Sequence, residues 1–459
     1  MATTSKPSRT TARTGSRLAF QPREVPGLAR PRKPKLPTLA ERVLPNGLRV
    51  VAVRRPSVPV VHLRLRIPTA VRREIDTAKA ALLERTMLLG TAERSQGELA
   101  EALQRIGGSL RVSGDADRLV VAGESLAGGF TNLLALLAEV LTTASYPRHQ
   151  VEGEAARLAD QLRRSASQPG VVADESWLTR YFGSHPYGSE NPAADDVLGV
   201  ATGSLRPAHR RRVVPAGSLL VLVGDLSPAR ALDQVAAAMS AWDSPGGPSR
   251  VPRVAAPALG PLVLVDRPGA VQSNLRLGGP APARTEPTFA AAEVANALFG
   301  GYFSSRLVTN IREDKGNTYS PRSGLRHATA SSVLVTSADV ATEVTAPAMV
   351  EVAYELGRMV SLPPTAAEVA ATAQYLVGIL SLATATQAGL AGTLTSLLAD
   401  GLDVTWLRDH PTELLAVTPE QVHEVSQTLL APSNRVVTVV GDAALVEGPL
   451  AALGEVVPG

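Results

Sequence analysis

The segment "PAGSLLVLVGD", residues 215–225, recurs without gaps as "PSNRVVTVVGD", residues 432–442. Each copy is typical of a turn followed by an apolar strand that ends at Gly-Asp. A second pair, "RPSVPVVHLRL" at residues 55–65 and "RPGAVQSNLRL" at residues 267–277, occurs in the same order. The two offsets, 217 and 212 residues, nearly agree. The repetition therefore predicts a duplicated domain of about 210 residues.

Strand patterns and helix patterns are segregated within each half of the chain. In the first half, the strand patterns "LRVVAV" and "VHLRLRI" precede the helical spacing of "KAALLERTMLL" and "TNLLALLAEVLTTA". This order favours an α+β fold of two tandem homologous domains, each an antiparallel-type sheet with helices on one side. The Pro- and Gly-rich residues 244–260 are typical of a linker. We expect domains at residues 39–243 and 261–459, preceded by a disordered, basic, Pro-rich tail at residues 1–38.

Charge and composition exclude some classes of partner. The formal net charge is +4, but residues 1–38 hold nine basic groups and one acid, which leaves the remaining chain at about −4. Only 3% of residues are aromatic, so few side chains could stack on bases. No clean apolar run approaches the 18 residues of a membrane span. We therefore expect neither nucleic acid nor membrane as a partner.

The amino-acid usage bears on location and chemistry. Residues 1–20 are Arg- and Ser/Thr-rich and free of acids, as mitochondrial presequences are. Arginine outnumbers lysine 41 to 5, however, and this usage indicates a GC-rich bacterial genome. We expect a bacterial cytoplasmic protein, with the mitochondrial matrix as the less favoured location. The absence of cysteine excludes disulfides, thiolate metal sites and cysteine nucleophiles.

An arginine and a tyrosine stand seven residues apart in "GGYFSSRLVTNIREDKGNTYSPRSG", residues 300–324. Arg312 is predicted in the last turn of a short helix, and Gly316 is predicted to end that helix. Tyr319 then begins the next extended segment. The two side chains can converge across this turn, either as a structural pair or as a functional one.

The order of the halves and several motifs together resemble the pitrilysin and mitochondrial processing peptidase family of zinc peptidases. Active members carry an inverted H-x-x-E-H helix. The matching motifs are "VLPNGLRVVAV", "ELAEALQRIGGSL", "HPYG" and "GGYFSSRLVTNIREDKGNTYS". The resemblance covers about residues 40–453 and implies that the two domains form half of a clamshell chamber.

The departures from this family's pattern concern the metal site. Laid on the family motif, Ala81 and Arg85 stand where the two histidine ligands would be, and Glu84 stands in the place of the general base. The third ligand, a glutamate, is replaced by Gln161. Zinc sites use imidazoles and carboxylates, whereas Arg85 brings a permanent cation. The resemblance thus implies that this chain holds no metal and that zinc is expected only in a partner.

In two-subunit members of this family, one subunit carries zinc and the other carries an Arg–Tyr pair in its second domain. Arg312 and Tyr319 match that pair. The resemblance implies a non-catalytic, substrate-binding subunit of a heterodimeric zinc metallopeptidase, inactive alone, that donates both residues in trans to the active site of a homologous H-x-x-E-H partner acting on peptides. The alternatives are a structural pseudoenzyme or scaffold subunit that retains only the fold, and a lone peptide-binding module.

Overall fold

The structure is a computed structural model that describes residues 36–70, 74–243 and 247–459. Residues 1–35 of the predicted tail and residues 244–246 of the predicted linker lie outside this part. The described linker residues, 247–260, form neither helix nor strand. The expected disorder of the tail therefore stays a prediction.

The first half contains six strands and eight α-helices in its described residues. In chain order they are β1 (Leu39–Val43), β2 (Arg49–Arg54), β3 (Val60–Pro68), α1 (Glu74–Thr86), α2 (Gln96–Arg105), β4 (Ser109–Gly114), β5 (Arg118–Leu126), α3 (Phe130–Thr143), α4 (Arg148–Ala166), α5 (Pro169–Phe182), α6 (Ala194–Leu198), α7 (Leu205–Arg212), β6 (Leu219–Gly224) and α8 (Pro228–Ala238).

The second half also contains six strands and eight α-helices. In chain order they are β7 (Leu262–Asp266), β8 (Gln272–Pro280), α9 (Phe289–Asn296), α10 (Arg306–Val308), β9 (Arg322–Ala328), β10 (Ser331–Ala341), α11 (Thr345–Ser361), α12 (Ala366–Ala383), α13 (Gln387–Ala399), α14 (Trp406–Ala416), α15 (Pro419–Leu429), β11 (Val436–Gly441), α16 (Ala443–Ala451) and β12 (Val456–Pro458). Two π-helical segments, Ala297–Gly301 and Thr309–Asp314, flank α10.

The two sheets have matching strand orders. The first runs β1-β2-β6-β3-β5-β4 and the second β12-β7-β11-β8-β10-β9. The repeated sequence segments form equivalent strands, since one pair contains β6 and β11 and the other covers the first six residues of β3 and of β8. In both sheets the later central strand pairs parallel on one side and antiparallel on the other. The predicted α+β duplication is confirmed.

Each sheet is also covered on its second face by one helix from the other half, which the sequence did not predict. All six residues of β6 are buried, because Leu220 and Leu222 face the core of the first half while the alternate residues face α13. A strand that is apolar on both faces needs cover on both. Leu390 and Leu394 of α13 supply part of that cover.

The reciprocal contact places α5 of the first half on the second sheet. Trp177 packs against Val333 and donates a hydrogen bond from its indole N–H to the Val436 carbonyl, 3.1 Å away. Gly278 of β8 makes this approach possible, since a Cβ there would lie 2.3 Å from the tryptophan ring. The exchange of helices explains why the two halves pack as one unit.

The "HPYG" loop contributes a polar contact between the halves. The Tyr187 hydroxyl donates to the Asp117 carboxylate over 2.7 Å and accepts from the Ala330 N–H over 3.2 Å. The same carboxylate accepts from the Thr329 N–H over 2.8 Å. The loop thus joins the turn after β4 to the turn between β9 and β10. In the same loop, His185 accepts a hydrogen bond from the Tyr187 N–H over 3.1 Å and contacts the Pro252 carbonyl over 3.1 Å.

One helix of the described chain, α12, is long and apolar enough to cross a membrane by length and composition alone. In the structure Val369, Ala373 and Val377 pack into the core of the second half, although only 22% of the helix is buried. The absence of a membrane partner stays a prediction.

Candidate functional site

The structure brings together the residues that we expected at the family's metal-ligand positions. Ala81, Glu84 and Arg85 lie on one face of α1, at spacings of three and four residues. Helix α4 lies alongside α1 and carries Gln161. The Arg85 guanidinium donates a hydrogen bond to the Gln161 side-chain oxygen over 2.5 Å. The predicted alignment of these two helices therefore corresponds to a direct contact.

One further residue of this cluster, Glu154, was missed from the sequence. Glu154 of α4 places a carboxylate oxygen 3.7 Å from the Arg85 guanidinium. Glu154 precedes Gln161 by seven residues, which is two helical turns, and this spacing was the available signal. In the described ranges, no group of three histidine, aspartate or glutamate side chains is placed to hold a metal ion. A guanidinium between oxygens of α4 is a poor fit to a zinc site, because it repels a second cation.

Glu84 lies in a partly desolvated position at the end of β4. Burial raises the pKa of Glu84 to about 7, and neighbouring Asp115 also raises it, while Arg85 and the backbone N–H of Gly114 act in the opposite direction. Gly114 leaves room for the carboxylate, since a Cβ there would lie 3.3 Å from it. Glu84 is therefore beside the edge strand of the first sheet.

The second cluster forms where the π-helical segment Thr309–Asp314 ends. Gly316 has a φ of +66°, a conformation that favours glycine, and its N–H donates to the Arg312 carbonyl over 3.2 Å. The Asn317 N–H donates a hydrogen bond to the Ile311 carbonyl over 2.8 Å. The predicted end of the helix at Gly316 is confirmed, and the chain turns back toward Tyr319.

Arg312 and Tyr319 meet, and an aromatic residue that was not predicted joins them. The guanidinium carbon of Arg312 lies 5.0 Å from the centre of the Tyr319 ring and 4.5 Å from that of Phe303. Both rings are exposed, Tyr319 to 82% and Phe303 to 61%. The guanidinium thus lies over two aromatic rings at the surface. The sequence signal for Phe303 was a rare aromatic residue inside the 300–324 segment.

The contacts of Arg312 leave its hydrogen-bond donors available. Its one acidic neighbour among the described residues is Glu313, whose carboxylate lies 3.3 Å from the Arg312 Nε. Apart from that ion pair, the contacts of Arg312 and Tyr319 within the same residues are those between the guanidinium and the aromatic rings, and they leave the Arg312 Nη groups and the Tyr319 hydroxyl without an acceptor or donor. Stacking uses the faces of a guanidinium, whereas its N–H groups point outward in the plane. The cluster can therefore donate hydrogen bonds to a carbonyl or carboxylate.

Comparison with known proteins matches both halves to one peptidase family. Residues 49–190 match the family described as insulinase, peptidase family M16, and residues 202–376 match the peptidase M16 inactive domain. An uncharacterized zinc protease of Streptomyces coelicolor is 24% identical over 292 residues, covering 62% of this chain and 63% of the relative. One of Mycobacterium leprae is 25% identical over 287 residues, covering 61% and 64%. This chain thus spans less than two thirds of those relatives.

Solved structures share the fold. A peptidase M16 inactive domain from Pseudomonas fluorescens has a TM-score of 0.81 at 21% identity, covering 88% of this chain and 98% of that one. A protease from Helicobacter pylori has a TM-score of 0.81 at 18% identity, covering 89% and 100%. Because both family descriptions match in order along the duplicated fold, this chain belongs to peptidase family M16, the pitrilysin and mitochondrial processing peptidase family.

Proposed function

We propose that this chain is the non-catalytic, substrate-binding subunit of a heterodimeric zinc metallopeptidase, and that it donates Arg312 and Tyr319 to the active site of a homologous partner. The observation that carries the proposal is the Arg312 cluster. Its guanidinium lies over the rings of Phe303 and Tyr319, and among the described residues only its Nε faces an acid, the Glu313 carboxylate. Donors that the fold itself does not engage are open to an acceptor on another molecule.

The chain's own metal positions support a role without independent catalysis. Arg85 donates a hydrogen bond to Gln161, so two of the positions expected to hold metal ligands are joined by a permanent cation instead. Glu84 then has no metal-bound water to activate, although it keeps the position of a general base. The residues present do not fit zinc, and the hydrolytic water must be activated in the partner.

Arg312 and Tyr319 would act on the scissile carbonyl of a peptide held in the partner's site. Negative charge develops on that oxygen as water attacks, and preorganised donors stabilise it most where water is excluded. A guanidinium supplies fixed positive charge and a phenol supplies a neutral donor. In isolation both are at the surface, which suits groups that complete a site in another subunit.

A peptide substrate would add to the free edge of the first sheet. β4 pairs with β5 on one side, and no other described strand pairs with it. Edge strands accept extended peptides through backbone hydrogen bonds. Glu84, which lies beside Gly114 at the end of β4, would then face the bound peptide.

A structural pseudoenzyme or scaffold subunit is the alternative, and the Arg85 cluster favours it. Contacts from Arg85 to Gln161 and Glu154 tie α1 to α4 without a metal. The former ligand positions could then serve packing alone. This alternative makes no use of the free donors on Arg312.

Affinity purification of the full chain from its native cell tests the proposal. We expect a second chain of similar size with an intact H-x-x-E-H motif, about one zinc per heterodimer, and cleavage of quenched fluorogenic peptides by the pair but not by this chain alone. Recovery with partners that lack such a motif, and without peptidase activity, would favour the scaffold.

A further inference from the structure

We propose that Phe303 is a positioning residue for Arg312. Together with Tyr319, Phe303 fixes the Arg312 guanidinium in the orientation that binds a peptide carbonyl. This inference rests on the proposed function of Arg312. Phe303 carries no hydrogen-bonding group, so it cannot contact the reacting atoms as a donor. Its effect must pass through the guanidinium, whose face its ring covers at 4.5 Å.

The backbone that carries Phe303 is held on both sides. Tyr302, the preceding residue, stacks on Tyr375 of α12 with ring centres 4.7 Å apart. Its carbonyl accepts a hydrogen bond from the Ser305 N–H over 3.1 Å. Gly300 lies close to β9, since a Cβ there would be 2.9 Å from that of Ser323. The exposed ring of Phe303 therefore projects from a fixed segment and not from a loose loop.

The two rings contact Arg312 from different parts of the chain. Phe303 precedes α10, whereas Tyr319 follows the turn at Gly316. An arginine side chain has many rotamers, and a site that already restricts them loses less freedom on binding. Two stacking faces restrict the guanidinium plane while they leave its edge open.

The carboxylate of Glu313 explains why the Phe303 ring is needed in addition to the Tyr319 ring. Glu313 lies 3.3 Å from the Arg312 Nε and competes for the guanidinium. Without the Phe303 ring, we expect the guanidinium to turn toward Glu313 and lose its alignment with a substrate carbonyl. The expected consequence is a lower kcat with little change in KM, because the lost contact belongs to the transition state.

A double-mutant cycle on the purified heterodimer tests this role. Using the quenched fluorogenic peptide that the pair cleaves fastest, we expect Phe303→Ala to lower kcat by roughly twofold to thirtyfold, the range of one cation–π contact from exposed to desolvated. Phe303→Tyr should restore most of the rate, and Phe303→Leu should not. Phe303→Ala should add little to the loss of kcat already caused by Arg312→Ala, because both substitutions remove the same positioned guanidinium. Tyr354→Ala, which removes an exposed ring over Arg358, is the matched control and should leave kcat unchanged.

A second measurement uses the isolated chain. With ¹⁵N-labelled arginine, Arg312→Lys identifies the Arg312 side-chain NMR signal, and Phe303→Ala should move that signal toward the position of a free arginine. An unchanged signal and an unchanged kcat in Phe303→Ala, beside a strong loss in Arg312→Ala, would overturn the positioning role alone. Normal kcat in Arg312→Ala would instead reject the proposed function. Fully additive losses would show that Phe303 acts independently of Arg312.

Discussion

Tyr319→Phe is the change that most sharply separates a functional Arg–Tyr pair from a structural one. It removes one hydroxyl and keeps the ring that stacks on Arg312. The side chain is 82% exposed, and its hydroxyl has no hydrogen-bond partner among the described residues. The free energy of unfolding should therefore stay within about 0.5 kcal/mol of the wild type, as for other surface substitutions.

The expected effect on turnover is much larger. If the hydroxyl stabilises the oxyanion, its loss should lower kcat by roughly 100- to 1000-fold, or about 2.7 to 4 kcal/mol of transition-state stabilisation. Arg312→Ala should have an effect of similar size on kcat. That variant also removes two exposed cation–π contacts and an ion pair with Glu313, so it should lower the free energy of unfolding by about 1 to 3 kcal/mol.

The assay is kcat per heterodimer, with assembly checked by size-exclusion chromatography and stability by thermal unfolding. Tyr354→Phe, a change in another exposed tyrosine of the second half, is the matched control and should leave all three unchanged. A structural pair predicts the reverse pattern, in which Arg312→Ala weakens assembly while kcat per assembled dimer is kept. Near-normal kcat in both Tyr319→Phe and Arg312→Ala would refute the proposed donation.

Three further predictions concern other parts of the chain. The isolated chain should bind no stoichiometric zinc, and elemental analysis should find it only after Ala81→His, Arg85→His and Gln161→Glu are combined; about one zinc per wild-type chain would contradict the site geometry. Removal of residues 1–38 should leave the unfolding temperature and partner binding nearly unchanged. A lower unfolding temperature or weaker partner binding would show that the tail packs on the rest of the chain. Burial raises the pKa of Glu84 from 4.5 to about 7, so its stabilising contribution is present below pH 4.5 and is lost as the pH rises through about 7. Glu84→Gln should therefore be more stable than the wild type at pH 8 and differ little from it at pH 4. If the variant and the wild type unfold at the same temperature at both pH values, the raised pKa of Glu84 is ruled out.

The sequence by itself determined the duplicated fold. One repeated pair lies in β6 and β11, central strands that are buried on nearly every residue and therefore carry short continuous apolar runs. The other pair lies in the neighbouring strands β3 and β8. It also determined where the helix before Tyr319 ends, because Gly316 occupies a positive-φ position that other residues adopt only with strain. Both features depend on local patterns and can therefore be read along the chain.

Only the tertiary structure decided what meets at the candidate sites. The contact of Arg85 with Glu154 was not predicted, and the contact of Phe303 with Arg312 depends on how two π-helical segments and a turn are placed. The exchange of α5 and α13 between the halves was also not predicted. An apolar strand face indicates that a helix must cover it, but does not indicate which helix. Sequence patterns specify which surfaces are apolar or charged, whereas the partner of each surface is selected by packing across the whole chain.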